Sequence, residues 1–289
     1  KMTTTNNLIG SKTSNWSRKR KLPKRWYVHV LLWIACLLVG FPLLYAILLG
    51  TQNNTDIFAY KLTPGTHLLE NLKIVLVDRN MGKFMLNSLA QATIITVGKT
   101  VISLLAGLAF VYFRFPGKWL IFGFVLITLM MPTDIMILAL FRVVSGLGWG
   151  STIYAITVPF LASATGSFLF RQHFSNIPAE LSEAAQLDGA NPLQFLFKIL
   201  IPMSWNVIGA LAVIEVIYVW NMYLWPLIIM REENKQVVQV GLTAFTSTDL
   251  GVGYGPMMLA TVVATIPPII IFILLQKSFM SGFQIKTEK

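Results

Sequence analysis

Apolar residues gather along the chain in six long runs, at residues 28–49, 85–112, 119–141, 152–170, 207–230 and 257–275. Each run is near the roughly 20 residues that a helix needs to cross a bilayer. The pattern therefore predicts an all-α integral membrane protein with six transmembrane helices. The first run follows a polar stretch that closes on Arg18, Lys19, Arg20, Lys21, Lys24 and Arg25. Its length and its lack of a small-residue cleavage site predict a retained span, not a signal peptide. The expected organisation is a basic tail at 1–26, a six-span domain at 27–277 and a short tail at 278–289. Two connections exceed a simple turn, one at 50–84 and one at 171–204.

Composition agrees with the pattern. Hydrophobic residues make up 55% of the 289 and charged residues only 12%, about half the share of an average globular domain. That excludes a soluble or disordered chain. The net charge of +11 would suggest nucleic acid on a soluble protein, but in a membrane the position of the cations matters more than their sum. With the amino terminus inside, fifteen of the 23 Lys and Arg residues fall on inner segments, seven on outer ones and Lys99 within a span. Cytoplasmic loops are enriched in these residues, so both termini are expected in the cytoplasm. The tail's attraction to anionic lipid adds to that signal, and no nucleic-acid partner is expected. Cys36 is the one cysteine, which excludes disulfides and cysteine metal clusters. His29, His67 and His173 do not fall with acids at metal-ligand or triad spacing.

The outer connection contains Leu68, Leu69, Leu72, Val75 and Leu76, spaced to give a helix one apolar face. Two uses stand open: lying on the membrane surface, or docking an external partner. The inner connection reads Pro178-Ala179-Glu180-Leu181-Ser182-Glu183-Ala184-Ala185-Gln186-Leu187-Asp188-Gly189-Ala190-Asn191-Pro192 and runs on to Ile199-Leu200-Ile201-Pro202. Pro178 suits the first turn of a helix, and Gly189 suits the left-handed residue just past its end. Asn191 caps a second helix opening with Pro192. Leu181, Ala184, Ala185 and Asp188 are expected to share a small-residue face turned to the cytoplasm.

The stretch Glu183-Ala184-Ala185, then Gly189, then Ile199, Ile201 and Pro202 resembles the EAA loop of permease subunits of ATP-binding cassette (ABC) importers. Ile201 stands where the family pattern has leucine. The resemblance covers nearly the whole chain after the tail. It is nearest to the carbohydrate and glycerol-phosphate group, in particular the second permease of Ugp-type glycerol-3-phosphate importers. It is carried further by Pro64-Gly65-Thr66-His67, Phe113-Arg114-Phe115-Pro116, Trp220-Asn221-Met222-Tyr223-Leu224-Trp225-Pro226-Leu227 and Ile266-Pro267-Pro268. It implies a type I importer permease with a cytoplasmic coupling helix between spans four and five. Glu183, Ala184, Ala185, Asp188, Gly189 and Pro202 are the implied ATPase-coupling residues. The implied partners are a second homologous permease, a dimer of ATPase subunits and an external substrate-binding protein, in a bacterial-type inner membrane. The implied substrate is glycerol-3-phosphate or a glycerophosphodiester, with a neutral sugar as the alternative.

No catalytic chemistry and no cofactor are expected on this chain; ATP and magnesium belong to the partner ATPase. Gly98-Lys99-Thr100 has the ending of a phosphate-binding loop, but Thr93 stands where that motif needs glycine. Charges inside a bilayer are costly and mark function by default, which singles out Lys99, Asp134 and Glu215. Lys99 either meets a substrate phosphate or pairs with Glu215, and the depths of the two favour the pair. Trp220, Asn221, Tyr223 and Trp225 are the other pathway candidates, as aromatics around an amide suit a polyol or sugar. Asn221 would equally bond a neighbouring helix, and Trp225 would equally mark the membrane interface. Asp134 follows Pro132, an expected kink, as are Pro226, Pro267 and Pro268. A secondary transporter would need ion sites at broken helices and paired repeats, and neither is visible in the chain.

Overall fold

The structure is a computed structural model, and it describes residues 26–246 and 253–282. The expected basic tail up to residue 25 and the last residues of the end tail lie outside that range. Among the described residues every regular element is helical.

The chain divides into a unit at residues 1–44 and a second at 45–289. The described part of the first is most of one helix, Trp26–Gly50, apolar apart from His29 and exposed from Tyr27 to Val39. Pro42 lies inside it without ending it.

The second unit is organised by Met81–Tyr112, a helix of 32 residues and thus about 48 Å long. It packs against Ala164–Ser175 and Trp205–Trp220, and the latter packs in turn against Tyr254–Gly282. Lipid tails offer no hydrophobic drive to helix pairing, so small residues that allow close approach set the contacts. A Cβ on Gly107 would stand 2.8 Å from the Cβ of Phe170, and one on Gly166 would stand 2.2 Å from Ser103 Oγ. These two glycines let Met81–Tyr112 and Ala164–Ser175 lie nearly in backbone contact.

Three of the expected spans are single helices long and apolar enough to cross a membrane, at Trp26–Gly50, Met81–Tyr112 and Tyr254–Gly282. Up to five spans result if each bent pair counts as one. The expected third run is two short helices, Lys118–Thr128 and Ile137–Gly146, interrupted by an extended Pro132 and a 3₁₀ turn at Thr133–Met136. The fourth is Ile153–Phe160 joined to Ala164–Ser175 at 41°. The fifth is Trp205–Trp220, which stops at Asn221 before Leu224–Ile229 begins. Pro267 and Pro268 sit inside a helix that continues through them.

The outer connection differs from a helix with one apolar face. Leu68–Lys73 passes directly into a π-helical turn, Ile74–Asp78, which widens the turn and shifts the register of the residues after it. Val75 is driven into a core with Met81, Phe84 and Trp220, while Leu69 and Leu76 point outward. The buried Asn71 side chain donates to the carbonyls of Gly50 and Gln52, at 2.9 and 3.0 Å. Gln52 donates to those of Lys61 and Thr63. This polar knot satisfies carbonyls at the end of Trp26–Gly50 and holds the connection in a fixed shape.

Candidate functional site

The inner connection is assembled from local signals. Ala179–Leu187 starts after Pro178, whose φ of −55° and ψ of 134° place it just before the first turn, one position earlier than the sequence suggests. The helix runs to Leu187, and Gly189 follows the cap residue Asp188 with φ +73°. There the Gly189 N–H donates to the carbonyl of Gln186 and the Ala190 N–H to that of Ala185. Asn191 forms a full capping box with Gln194: its Oδ1 accepts from the Gln194 N–H at 2.8 Å, and Gln194 Oε1 accepts from the Asn191 N–H at 2.9 Å. Pro192 opens the following helix, which passes through a π-helical turn, Leu196–Leu200, to Pro202. At Ser204 the chain turns, and Pro192–Met203 meets Trp205–Trp220 at 78°. The Ser204 hydroxyl donates to the Leu200 carbonyl at 2.6 Å, a carbonyl that also accepts from the Ser204 N–H at 3.0 Å, so the turn is held twice.

Burial corrects the expected face of Ala179–Leu187. Ala185 is buried against Phe170, Phe174, Leu104, Leu196 and Leu200. Its methyl therefore anchors the segment to the helices it caps. Glu183, Ala184 and Asp188 are exposed beside Leu187, which is 90% exposed. Leu187 escaped the sequence reading; an apolar residue on the polar side of a short helix is the signal that marks it.

The second cluster lies between the helices. Lys99 and Glu215, only 8% and 5% exposed, form an ion pair with Nζ 2.6 Å from Oε2. This is the pairing that their depths suggest. The ring of Tyr218 lies 5.1 Å from Lys99 Nζ, and the Ser163 hydroxyl is 3.5 Å from Glu215 Oε1. Tyr218 and Ser163 also escaped the sequence reading, although Tyr218 is one turn from Glu215 on the same helix and was accessible from spacing. The pair lines a cleft of about 620 Å³, walled by Met131 and Met136 from the interrupted run and by Ser163 at the 41° bend. The backbone of Asp134 lies in the intervening turn, Thr133–Met136; its side chain is outside the described set. A second cleft, of about 440 Å³, contains Asn221, Tyr223 and Trp225 and shares Phe160 and Tyr218 with the first.

The two tryptophans separate from the other candidates. The Trp220 indole N–H donates to the carbonyl of Ala264 at 3.1 Å, in a buried core away from both clefts. That of Trp225 donates to the carbonyl of Ala155 at 3.0 Å. Both therefore fasten helices together, with Trp225 also forming cleft wall. Asn221 donates to the Ile217 carbonyl at 2.8 Å and is exposed, as is Tyr223. No group of three or more acidic, His or Cys side chains that could hold a metal occurs among the described residues.

Bent, interrupted helices around a long central one, with a capped helical elbow at one end, are the fold of an ABC importer permease. The crystal structure of a bacterial ABC transporter for the acidic polysaccharide alginate superposes with a TM-score of 0.79 at 22% identity, over 88% of this chain and 96% of that one. A second alginate transporter structure, in complex with an alginate-bound periplasmic protein, gives 0.59 at 16% identity. Residues 99–283 match the family described as binding-protein-dependent transport system inner membrane component, and the chain belongs to that family. It is a permease subunit of an ABC transporter, a transport component and not an enzyme. Among its relatives are the sn-glycerol-3-phosphate transport system permease proteins UgpE of three bacteria. That of Brucella melitensis is 37% identical over 90% of this chain and 96% of its own length. That of Rhizobium meliloti is 38% identical over the same shares. That of Agrobacterium fabrum is 37% identical over 92% of this chain and 97% of its own.

Proposed function

We propose that this chain is one of two permease subunits of an ATP-driven importer for sn-glycerol-3-phosphate or glycerophosphodiesters. The carrying observation is identity of 37–38% over at least nine-tenths of the chain with permeases named for sn-glycerol-3-phosphate transport. In this reading the chain has six spans with both termini in the cytoplasm. Lys118–Thr128 and Ile137–Gly146, of 11 and 10 residues, together supply about 31 Å of helix, enough for one broken span. The fifth span is Trp205–Trp220 extended by Leu224–Ile229, and Pro192–Met203 lies outside the bilayer as part of the coupling elbow.

Ala179–Leu187 then acts as the coupling helix, presenting Glu183, Ala184, Leu187 and Asp188 to an ATPase subunit. ATP and magnesium are bound there and not on this chain. Gly189 and Pro202 shape the segment, and Ala185 ties it to the membrane helices. A loaded binding protein delivers substrate from outside, and the two clefts form this subunit's share of the pathway. Asn221 and Tyr223 offer hydrogen-bonding groups to hydroxyls, and Tyr218 links them to Lys99.

A neutral-sugar substrate is favoured by one observation: Lys99 is already neutralised by Glu215, so the larger cleft presents no free cation to a phosphate. Reconstitution with the two ATPase subunits, the second permease and the binding protein separates the readings. Hydrolysis stimulated by glycerol-3-phosphate and glycerophosphocholine, and not by maltose or trehalose, supports the first. Stimulation by a neutral sugar alone overturns it and makes Lys99 structural.

A further inference from the structure

At one end of the second unit, residues 113–117 connect the long helix Met81–Tyr112 to Lys118–Thr128, turning at Gly117 with φ +74°. The turn borders an open cleft of about 360 Å³, lined by Arg114, Phe115, Gly117, Lys118, Trp119 and Leu120. Beside the cleft, outside its lining, the Arg171 guanidinium of the neighbouring helix lies 5.2 Å from the Trp119 ring and 5.0 Å from that of Phe122. Among the described residues, none of these three cations is ion-paired. Lys118 spends protons on the carbonyls of Phe113 and Val111, at 3.0 and 3.5 Å. Arg114 is exposed. Trp119, 65% exposed, and Leu120 stand at the mouth, at the start of an outward-facing apolar helix. A soluble anion would gain nothing from that rim. A molecule with an anionic head and an acyl tail matches both parts at once.

We propose that this cleft binds the headgroup of an anionic phospholipid, its phosphate among Arg114, Lys118 and Arg171 and its chains along Trp119 and Leu120. Basic pockets beside membrane helices hold such headgroups, and indole rings settle at headgroup depth. Arg171 is held in place by two aromatic faces, so its charge is positioned before the lipid arrives. On the proposed orientation the lipid belongs to the cytoplasmic leaflet. The site is independent of which substrate the importer carries.

The test uses the whole importer in phosphatidylcholine nanodiscs doped with photoactivatable phosphatidylglycerol or, separately, photoactivatable phosphatidylcholine. Peptide mapping is expected to find residues 114–122 labelled several-fold more by the anionic probe. Arg114→Gln, at an exposed position, lowers that labelling about fivefold, the share of one cation near an anionic lipid, and Arg114→Lys retains it. Excess inorganic phosphate leaves it unchanged. Equal labelling by both probes, no response to Arg114→Gln, no labelling of the segment by either probe, or displacement by inorganic phosphate each overturns the proposal, the last by assigning the cleft to a soluble anion.

Discussion

The Lys99–Glu215 pair makes a quantitative prediction. It joins Met81–Tyr112 to Trp205–Trp220, across 116 residues of sequence. Replacing Glu215 with Gln removes the charge that balances an ammonium in a site that is 8% exposed, leaving it the neutral Gln amide oxygen and the Tyr218 ring. Ser163 lies 3.5 Å from the carboxylate, at the limit of a hydrogen bond, so it offsets little. The Tyr218 ring returns up to about 2 kcal/mol when desolvated, and that attraction exists in the parent too. Removing one partner of a buried pair costs about 3–5 kcal/mol, because the other charge is stranded. At about 2 °C per kcal/mol for a chain of this size, Glu215→Gln and Lys99→Met each lower the melting temperature by roughly 6–10 °C. The double variant Lys99→Met/Glu215→Leu strands no charge, and such replacements are often neutral or stabilising. It is expected to melt near the parent. The assay is thermal unfolding of the detergent-solubilised importer followed by intrinsic fluorescence. Single variants that melt with the parent, or a double variant as damaged as the singles together, would refute the assignment of this pair as a buried clamp. Uptake by the double variant then reads function directly: retained transport of a phosphorylated substrate means that Lys99 does not receive its phosphate.

Gly189→Val places a β-branched residue at φ +73°, where open space surrounds the new Cβ; the penalty is therefore backbone strain alone, about 1–3 kcal/mol. Uptake per ATP hydrolysed is expected to fall, and an unchanged ratio would count against the coupling role. Leu187→Asp alters a residue 90% exposed, so the melting temperature should hold while co-purification of the ATPase subunits drops; retention of those subunits would remove Leu187 from the contact. Gly107→Ala puts a methyl 2.8 Å from the Phe170 Cβ, and overpacking of this kind costs about 1–3 kcal/mol. A melt no lower than the parent's would show that the two helices are not as close as described.

Local chemistry was legible and long-range packing was not. Gly189 and Asn191 announce themselves because a left-handed residue and a capping box are settled within a few positions. The Lys99–Glu215 pair follows from depth arithmetic, since each charge has few places to go in a bilayer. Pro132 marks a kink in the sequence, but the full stop of the helix there is nearly silent to hydropathy, because Leu129, Met130 and Met131 keep the run apolar. The inward turn of Val75 depends on a π-helical register shift that apolar spacing does not encode. Trp220 and Trp225 read as sugar-stacking residues, yet their indole N–H groups are claimed by carbonyls 44 and 70 residues away. Ala185 read as outward-facing because the partner helices that bury it lie far off in the chain.

The 78° junction at Ser204 makes Pro192–Met203 and Trp205–Trp220 the two arms of a bell crank. With 12 and 16 residues, the arms are about 18 and 24 Å long. If each is rigid, a 2 Å push on the free end of the short arm swings the crank by about 6° and sweeps the Asn221 end by about 2.7 Å. Glu215, ten residues from Trp205 and so about 15 Å along the long arm, travels about 1.7 Å. That stroke is enough to open a 2.6 Å contact. A small displacement delivered at Asn191 is thereby converted, without gearing through any other element, into a sideways stroke along the wall of both clefts.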